Sequence, residues 1–342
     1  MDVPIAPKTD VPVAPKSGTA FYSVSDRRFF PGLVALLNSL RLVGHDEPLF
    51  VVDAGLTPGQ RELLADHVEL LPAPASEQHP VFLAPAGPVQ RPAEVAILID
   101  ADIIVTGHLS ELVEAARAGR VVGFVNDPPN DVRFYPEWAS VLGLGPMRRQ
   151  PYLNAGFVAF PDALSSRLLP EWTEGQNAIG VEGTRYGRGS LDDPFYFADQ
   201  DVLNALLAAR FESAELLFLE HRLAPHPPFP GVNLVDERTL ACRYGDGAEP
   251  YLLHHVLAKP WLKATPNTVY SALLSRLLLA PDVTLRLDPG QLPLRLRQGW
   301  AAAADRRRAG TTAFVRDNGR RQLGRFRIRS RLARLGMRHA AP

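Results

Sequence analysis

The sequence predicts an α/β protein in which a mostly parallel sheet carries helices on both faces. Short apolar runs alternate with stretches of helical periodicity in the first third of the chain. The run at 95–105 is apolar enough for a strand that is buried on both faces of a sheet. The 342 residues are 46% hydrophobic and 22% charged, a composition typical of globular proteins that bury a sizeable core.

The first strand and helix begin this βαβα order. The strand is predicted from Thr19, and the helix follows the turn at Ser25-Asp26. Gly44 is placed to end the helix. Four leucines have the spacing of one helix face, namely Leu33, Leu36, Leu37 and Leu40.

The second helix has its own start signal. It follows a strand that ends at Asp53, and Thr57 and Gln60 have the spacing of a capping box. Pro58 suits the first turn of a helix because proline lacks the N–H that this turn leaves unpaired. We expect this helix to span 58–68.

An acid pair lies in the apolar run at 95–105. Unpaired carboxylates are costly inside a sheet, so Asp100 and Asp102 are expected where the strand emerges. Ligands of open α/β sheets bind beyond the carboxyl ends of the strands, and two oxygen donors there suit Mg²⁺ or Mn²⁺ holding a phosphate. Ser25 and Asp26 at the same edge are a candidate nucleoside contact. A solvated strand end is the alternative interpretation.

Two long segments show no clear period, and loops are predicted at 72–92 and 128–150. A helix at 109–118 and a strand at 120–127 are expected between them. Connections as long as the second one are often functional.

Further polar residues interrupt or follow later elements. Asn154, Ala155 and Gly156 interrupt an apolar strand, where a glycine permits close approach of a ligand; a β-bulge is the alternative. The stretch 175–194 is Gly-rich and polar and predicts a mobile loop. Asp199 is placed to cap the helix that follows it.

Two histidines and a lysine follow another apolar strand. His254 and His255 end the strand, and Lys259 comes four residues after the second histidine. An imidazole can bind a metal and a lysine can bind a phosphate, so this pattern predicts ligands at the sheet edge. A buried hydrogen-bonding histidine is the alternative.

Composition limits the location and the domain organisation. Cys242 is the single cysteine, so an internal disulfide is excluded, and a cytoplasmic location is expected because the sequence shows no signal peptide or apolar span. A disordered Pro-rich leader is predicted at 1–17, one catalytic domain at 18–265, and a helical C-terminal region with an Arg-rich tail at 266–342.

The tail differs in charge from the rest of the chain. The chain has zero net charge, yet from Gln291 onward 14 arginines face two aspartates. Apolar and basic residues alternate there, as in Arg325, Phe326, Arg327, Ile328, Arg329, Arg331, Leu332 and Leu335. The pattern is typical of an interfacial helix on anionic lipid, which would place the protein peripherally on the inner face of a membrane. A solvated tail and a nucleic-acid-binding tail are the alternatives.

Four motifs, taken in order, resemble glycosyltransferase family 8, the group that includes glycogenin and bacterial lipooligosaccharide galactosyltransferases. They are Asp100-Ala101-Asp102, Asn154-Ala155-Gly156, Asp199-Gln200-Asp201, and the sequence His-His-Val-Leu-Ala-Lys-Pro-Trp at 254–261. The resemblance covers roughly 19–262. It implies a GT-A (Rossmann-like) fold, a nucleotide-sugar donor that is usually UDP-linked, Mn²⁺ (or Mg²⁺), and transfer of a hexose with retention to a saccharide or glycolipid acceptor.

The resemblance also implies roles for individual residues. The residues near the reacting sugar would be Gln200, Asp199 and Asn154. The residues that bind the metal and the donor would be Asp100, Ala101, Asp102, Gly156 and Lys259.

The sequence departs from the family pattern at two places. The position of the family's metal histidine, six residues before the lysine, is Leu253 here, so His254 and His255 are both candidates for the third metal ligand. The family's Tyr- and Arg-bearing helix before the acid pair is not evident in 80–94.

Two other functions remain as alternatives. A nucleotidyltransferase that makes sugar nucleotides would carry a Gly-rich basic loop after the first strand, and the turn at 25–28 has no glycine. The displaced histidine and the Arg-rich tail suggest instead a non-catalytic protein that binds a nucleotide sugar or a nucleic acid.

Overall fold

The computed structural model describes residues 16–74, 79–256, 258–263, 265–297 and residue 304. The first 15 residues of the predicted leader and the Arg-rich tail from 305 onward lie outside the described residues, whereas residues 16 and 17 begin the first strand.

The described strands are β1 (Lys16–Ser25), β2 (Leu49–Asp53), β3 (Glu69–Pro72), β4 (Ala93–Ile99), β5 (Ile103–Val105), β6 (Val121–Val125), β7 (Leu153–Pro161), β8 (Leu216–Leu219), β9 (Asn233–Asp236), β10 (Ala241–Arg243) and β11 (Leu252–His254). The described α-helices are α1 (Phe30–Leu42), α2 (Pro58–Leu64), α3 (Ala86–Gln90), α4 (Ser110–Arg117), α5 (Glu137–Val141), α6 (Asp162–Ile179), α7 (Asp199–Arg210) and α8 (Val269–Leu279).

A seven-stranded sheet organises the molecule, in the order β3-β2-β1-β4-β7-β6-β8. β1, β2, β3 and β4 pair in parallel, as do β6 and β8. β7 lies antiparallel to both of its neighbours. The mostly parallel α/β sheet predicted from the sequence is therefore confirmed.

Each face of the sheet is covered by a hydrophobic cluster. One cluster contains the buried residues of α1, α4 and α8, and the other contains those of α6 and α7. The sheet is thus buried on both faces, which explains why its strands read as almost continuous apolar runs.

The structure contains the buried leucine face and the terminal glycine predicted for α1, and the capping box predicted for α2. The four leucines of α1 are fully buried, and Gly44 adopts a φ of +94° just past the end of the helix. At the start of α2, the Thr57 side chain accepts a hydrogen bond from Gln60 N, and the Gln60 side chain accepts one from Thr57 N.

Several predicted elements have different bounds in the structure, and α2 ends at Leu64 rather than at 68. The apolar run at 95–105 is two strands, because the chain turns at Asp100 and β5 pairs with β11 outside the main sheet. The segment predicted as a loop at 72–92 contains α3, and the segment at 128–150 contains α5. The Gly-rich loop begins only after Ile179, because α6 continues through Gly175. A Cβ there would lie 2.6 Å from Val202 Cγ1, so this glycine allows α6 to approach α7.

The segment after 265 continues the same core. Leu273, Leu274 and Leu277 of α8 are fully buried in the cluster that contains α1. Asn38 Nδ2 donates to Leu277 O and Leu285 O, each at 2.7 Å. Among the described residues, no helix is both long enough and apolar enough to cross a bilayer.

Candidate metal centre

Two distant parts of the chain meet at the carboxyl end of β4. Asp100 follows β4, and its backbone N–H donates to Gly156 O on β7 at 2.8 Å. Asp102 precedes β5, which pairs antiparallel with β11 so that His254 stands opposite Ile103. This pairing brings a histidine to an acid pair about 150 residues earlier in the chain.

Asp100, Asp102 and His254 form what we call the acid–histidine cluster. Nε2 of His254 lies 3.1 Å from Asp102 Oδ1 and 3.4 Å from Asp100 Oδ2. One ligand atom from each residue lies within 4.8 Å of the other two. The side chains of Asp102 and His254 are buried, whereas that of Asp100 is 57% exposed, so the cluster opens to solvent on the Asp100 side.

The cluster fits a divalent cation. Asp102 Oδ1 is buried and accepts no hydrogen bond of normal geometry, which leaves a lone-pair site for a metal. Two carboxylates with an imidazole are a donor set that suits Mn²⁺, and the carboxylates alone suit Mg²⁺. Asp100, Asp102 and His254 are therefore the residues that would hold the ion.

The electrostatics of the cluster favour positive charge. Burial opposes a positive charge on His254, but the carboxylate of Asp102 and the contacts with Asp100 raise its pKa to about 9. Burial likewise opposes a negative charge on Asp102, but Lys259 and His254 lower the pKa of Asp102. Protons and Lys259 supply the positive charge that a metal would bring.

Lys259 lies on the other side of Asp102. Its Nζ donates to Asp102 Oδ2 and to His255 O, and it stands 5.7 Å above the centroid of the Phe29 ring. The segment is fixed to the start of α1 because Trp261 Nε1 donates to Arg28 O at 2.7 Å. A cation is thus held next to the cluster by packing and by hydrogen bonds.

Gly156 makes room for the histidine. A Cβ at this position would overlap the His254 ring, at 2.8 Å from Nδ1 and 2.9 Å from Nε2. The glycine in the Asn-Ala-Gly motif therefore sets the position of a metal ligand.

The other candidate histidine, His255, lies outside the acid–histidine cluster. Its ring packs against Tyr270 at 4.8 Å and Phe229 at 5.9 Å between centroids. Burial and then Lys259 lower its pKa to about 4. Its backbone N–H and the Tyr270 hydroxyl both donate to Asp102 O, so this residue supports the acid pair through the backbone.

Asn154 and Gln200 lie at the same edge and bond to backbone. Asn154 is 8% exposed, and its Oδ1 accepts from Gly156 N at 2.9 Å. Gln200 Oε1 accepts from Ala155 N at 3.0 Å, which ties the first turn of α7 to β7. The two amides therefore reach the strand that carries Gly156.

Asp199 is near the cluster but does not cap α7 with its side chain. It is the first residue of the helix, and the N-cap is Ala198, which has a φ of +55°. Burial and then the charge of Asp100 raise the pKa of Asp199 well above its usual value. Alanine rarely adopts this left-handed backbone, and such strain is often found at functional sites.

Ser25 and Asp26 are at the predicted edge. Tyr22 pairs with Leu98, so Ser25 is level with Ala101 in the parallel register. One carboxylate oxygen of Asp26 accepts from Phe29 N at 2.9 Å and leads into α1.

The sequence did not reveal two groups of residues that support the site. Arg133 Nε donates to Asp201 Oδ1 at 2.7 Å, and the Tyr152 hydroxyl and Phe197 N donate to the same carboxylate at 2.7 Å each. The pair is buried behind Asp199. No local pattern predicts it, because its members are separated by 68 residues.

The second group extends from His254 to the surface. The His226 ring lies 5.2 Å from the His254 ring, and His226 Nδ1 lies 3.1 Å from Asp127 Oδ1. Burial lowers the pKa of His226 to about 4. The Pro-rich sequence around His226 gives no sign of this role.

Structural comparison finds the same fold in known proteins. An active-site mutant of LgtC, which is described as a galactosyltransferase, matches with a TM-score of 0.53 at 15% identity, over 79% of this chain and 98% of its own. The bifunctional glycosyltransferase WbbM matches with a TM-score of 0.53 at 14% identity, over 81% of this chain and 51% of its own, so the chain spans about half of WbbM. Searches of protein-family models and of curated proteins find no match. The chain therefore shares the fold of these two proteins, and the predicted GT-A type of fold is confirmed.

Proposed function

We propose that the protein is a metal-dependent, retaining glycosyltransferase that moves a hexose from a nucleotide sugar, with UDP as the expected nucleotide, to a saccharide or glycolipid acceptor. The observation that carries this proposal is the acid–histidine cluster at the carboxyl end of β4, with Lys259 bonded to it. The fold shared with LgtC and WbbM supports it.

The proposal assigns the metal to Asp100, Asp102 and His254, with His254 rather than His255 as the third ligand. A divalent ion bound there would act as a Lewis acid on the departing diphosphate. Lys259 would place a second positive charge at the same leaving group. Together these groups would stabilise the leaving group without a proton donor.

Retention requires either a nucleophile on the opposite face of the sugar or attack from the same face within an ion pair. The amide of Gln200 is a poor nucleophile, so we favour attack from the same face. Gln200 and Asp199 would stabilise positive charge on the sugar ring, with Asn154 between the sugar and the acceptor. The loop after α6 would help to exclude water, which would otherwise hydrolyse the donor.

A direct test is UDP release from UDP-sugars with and without Mn²⁺. We expect release to depend on the metal and to be abolished by Asp102→Asn, with the fold retained by circular dichroism and thermal melting. Release of pyrophosphate from UTP and a sugar phosphate would indicate the nucleotidyltransferase alternative, and binding without turnover would indicate a non-catalytic protein. Full activity of the variant would remove the acid pair from the mechanism.

We also propose that the Arg-rich tail binds anionic membranes. This part of the proposal rests on the sequence, in which each basic residue near an anionic surface contributes about 1 kcal/mol. The test is co-sedimentation with anionic liposomes, compared between the full chain and a truncation after residue 304, with an RNA and DNA gel shift in parallel. Equal sedimentation of the two chains would reject the membrane proposal.

A further inference from the structure

The loop between α6 and α7 is tightly wound near the acid–histidine cluster. Thr184 is 1% exposed; its hydroxyl donates to Val181 O at 2.8 Å and accepts from Tyr186 N at 3.2 Å. A Cβ at Gly187 would lie 2.6 Å from Glu182 O, so this winding requires a glycine. The predicted loop thus contains a compact turn that is held together by its own hydrogen bonds.

The turn is attached to elements on two sides of the site. Arg185 N donates to Tyr196 O at 2.8 Å, three residues before Asp199. The Tyr186 ring packs on the His79 ring at 4.8 Å between centroids, and His79 belongs to the segment just before β4. The turn therefore bridges the start of α7 and the chain that leads into β4.

The charges around Tyr186 show what the turn faces. Burial raises the pKa of the Tyr186 hydroxyl, and among the nearby charges the carboxylates of Asp199, Asp100 and Asp102 raise it further. The Arg185 guanidinium lies 5.2 Å from the Tyr186 ring centroid and opposes the rise in the pKa of Asp199. Arg185 and Tyr186 are thus within electrostatic range of the carboxylates of the candidate site, and Tyr186 is 43% exposed to solvent.

Two cations from different parts of the chain act on these carboxylates. Lys259 bonds to Asp102, whereas Arg185 acts electrostatically on Asp199. Because the diphosphate is proposed to lie at the metal, next to Asp102 and Lys259, the sugar attached to it would extend towards Asp199 and the turn.

The described segment 80–94 offers no arginine to the candidate site. α3 contains neither tyrosine nor arginine, and Arg91 after it donates to Glu69 Oε1 at 2.6 Å. The described chain thus supplies an arginine and a tyrosine from a different element, the loop after α6.

We propose that Arg185 and Tyr186 form the wall of the donor-sugar pocket, with the Arg185 guanidinium donating hydrogen bonds to sugar hydroxyls and the Tyr186 ring covering the sugar. The inference rests on the proposed function and deepens it. A guanidinium offers five N–H donors in a fixed plane, which suits a hydroxyl-rich ligand, and an aromatic ring offers an apolar face to a sugar ring.

The test compares the affinity of two ligands, UDP and UDP-sugars, in the presence of Mn²⁺. We expect Arg185→Ala to weaken binding of UDP-glucose or UDP-galactose by about tenfold or more, the cost of a charged hydrogen bond, and to leave UDP binding unchanged. Tyr186→Ala should likewise weaken binding of the UDP-sugar and leave UDP binding unchanged. Isothermal titration calorimetry measures both affinities on the full chain.

Arg188→Ala is the matched control because it removes the same charge from the same loop. The Arg188 side chain is 90% exposed and lies 3.9 Å from Glu182, so we expect no change in either affinity. Thermal melting of each variant reports folding, and Arg185→Lys, which keeps the charge, replaces Arg185→Ala if that variant is unfolded; the same selective loss is then expected because lysine lacks the planar donors.

The outcomes separate the two proposals. Equal losses for UDP and UDP-sugar would place Arg185 on the diphosphate and overturn the sugar-wall inference. Unchanged affinities would overturn it as well, while leaving the proposed function in place. If the unaltered protein binds no UDP-sugar with Mn²⁺, the proposed function fails and this inference fails with it.

Discussion

Acidification should weaken metal binding at the acid–histidine cluster. A metal binds the neutral imidazole of His254, but in the metal-free protein Asp102 and Asp100 raise the pKa of this side chain to about 9, against the burial that opposes it. At neutral pH the ion must therefore displace a proton. The affinity for the metal therefore falls as the pH falls below 9.

The expected loss of metal affinity depends on how far the pH lies below the pKa of His254. Each pH unit below the pKa costs about tenfold in affinity, so roughly a hundredfold loss is expected between pH 8 and pH 6. His226 and His255 have pKa values lowered to about 4 and stay neutral over this range. A slope of one proton per metal therefore reports on His254.

The assay is calorimetric titration of Mn²⁺ into the full chain at several pH values between 6 and 8. Buffers with different ionisation enthalpies count the protons released. His254→Gln should bind the metal more weakly and without this slope. Asp199→Asn is the control because the pKa of this carboxyl group is also raised. This variant should still release one proton for each metal ion bound.

Metal-free stability should change in the opposite direction. The pKa of His254 in the folded protein exceeds the unfolded value of about 6.5, so the stability from protonation is fully present below pH 6.5 and is lost as the pH rises to 9. Without metal, this contribution to the melting temperature should decrease over that interval. Metal affinity that is tight and independent of pH, or a slope that persists in His254→Gln, would refute the reasoning.

Three further substitutions test contacts that position His254 or stabilise the fold. Gly156→Ala should displace the His254 ring and lower Mn²⁺ affinity by at least about tenfold, measured by the same titration. Asp201→Asn should destabilise the protein by about 3 kcal/mol in urea unfolding, because it leaves the buried Arg133 guanidinium without its anionic partner. Thr57→Ala should cost about 1 kcal/mol in the same assay, since it removes one half of a capping box.

Two control variants separate these effects from nonspecific ones. Gly59→Ala adds a Cβ where nothing lies within 4 Å and should leave metal affinity unchanged. Asp192→Asn changes an exposed residue of the loop after α6 and should leave the free energy of unfolding unchanged. A loss with either control as large as with its partner variant would contradict the proposed cause.

Sequence patterns predicted the features that depend on residues close together in the chain. The leucine spacing of α1 and the Thr57 capping box involve positions within one or two turns, and both hold in the structure. The break at Asp100 was only partly predicted. The carboxylates indicated that they emerge from the sheet, but an apolar run gives no sign that β5 turns away to pair with β11.

The candidate site required pairings that no local pattern encodes. Asp201 and Arg133 form a buried ion pair although 68 residues separate them, and the loop that carries Arg185 is wound through glycines. The sequence motif drew attention to Asp199 as a helix cap, yet the strained Ala198 takes that position. The ion pair joins residues that are far apart in the chain, whereas the strained Ala198 and the wound loop are local features whose backbone geometry the residue pattern does not specify.

The sequence alone does not determine which of the two histidines faces the acid pair. Neighbouring side chains of a strand point to opposite faces, so of His254 and His255 only one can face the acid pair. The register of β11 against β5 does not decide which one by itself, because it sets His254 opposite Ile103, and His255 N–H donates to Asp102 O. The acid pair lies in the turn before β5, where the alternation of strand faces does not hold, and there the Asp102 carboxylate meets the His254 ring. Gly156, on a third strand, then leaves the space that this ring fills. The candidate metal ligand is therefore determined by the turn that carries the acid pair, together with one missing side chain on β7.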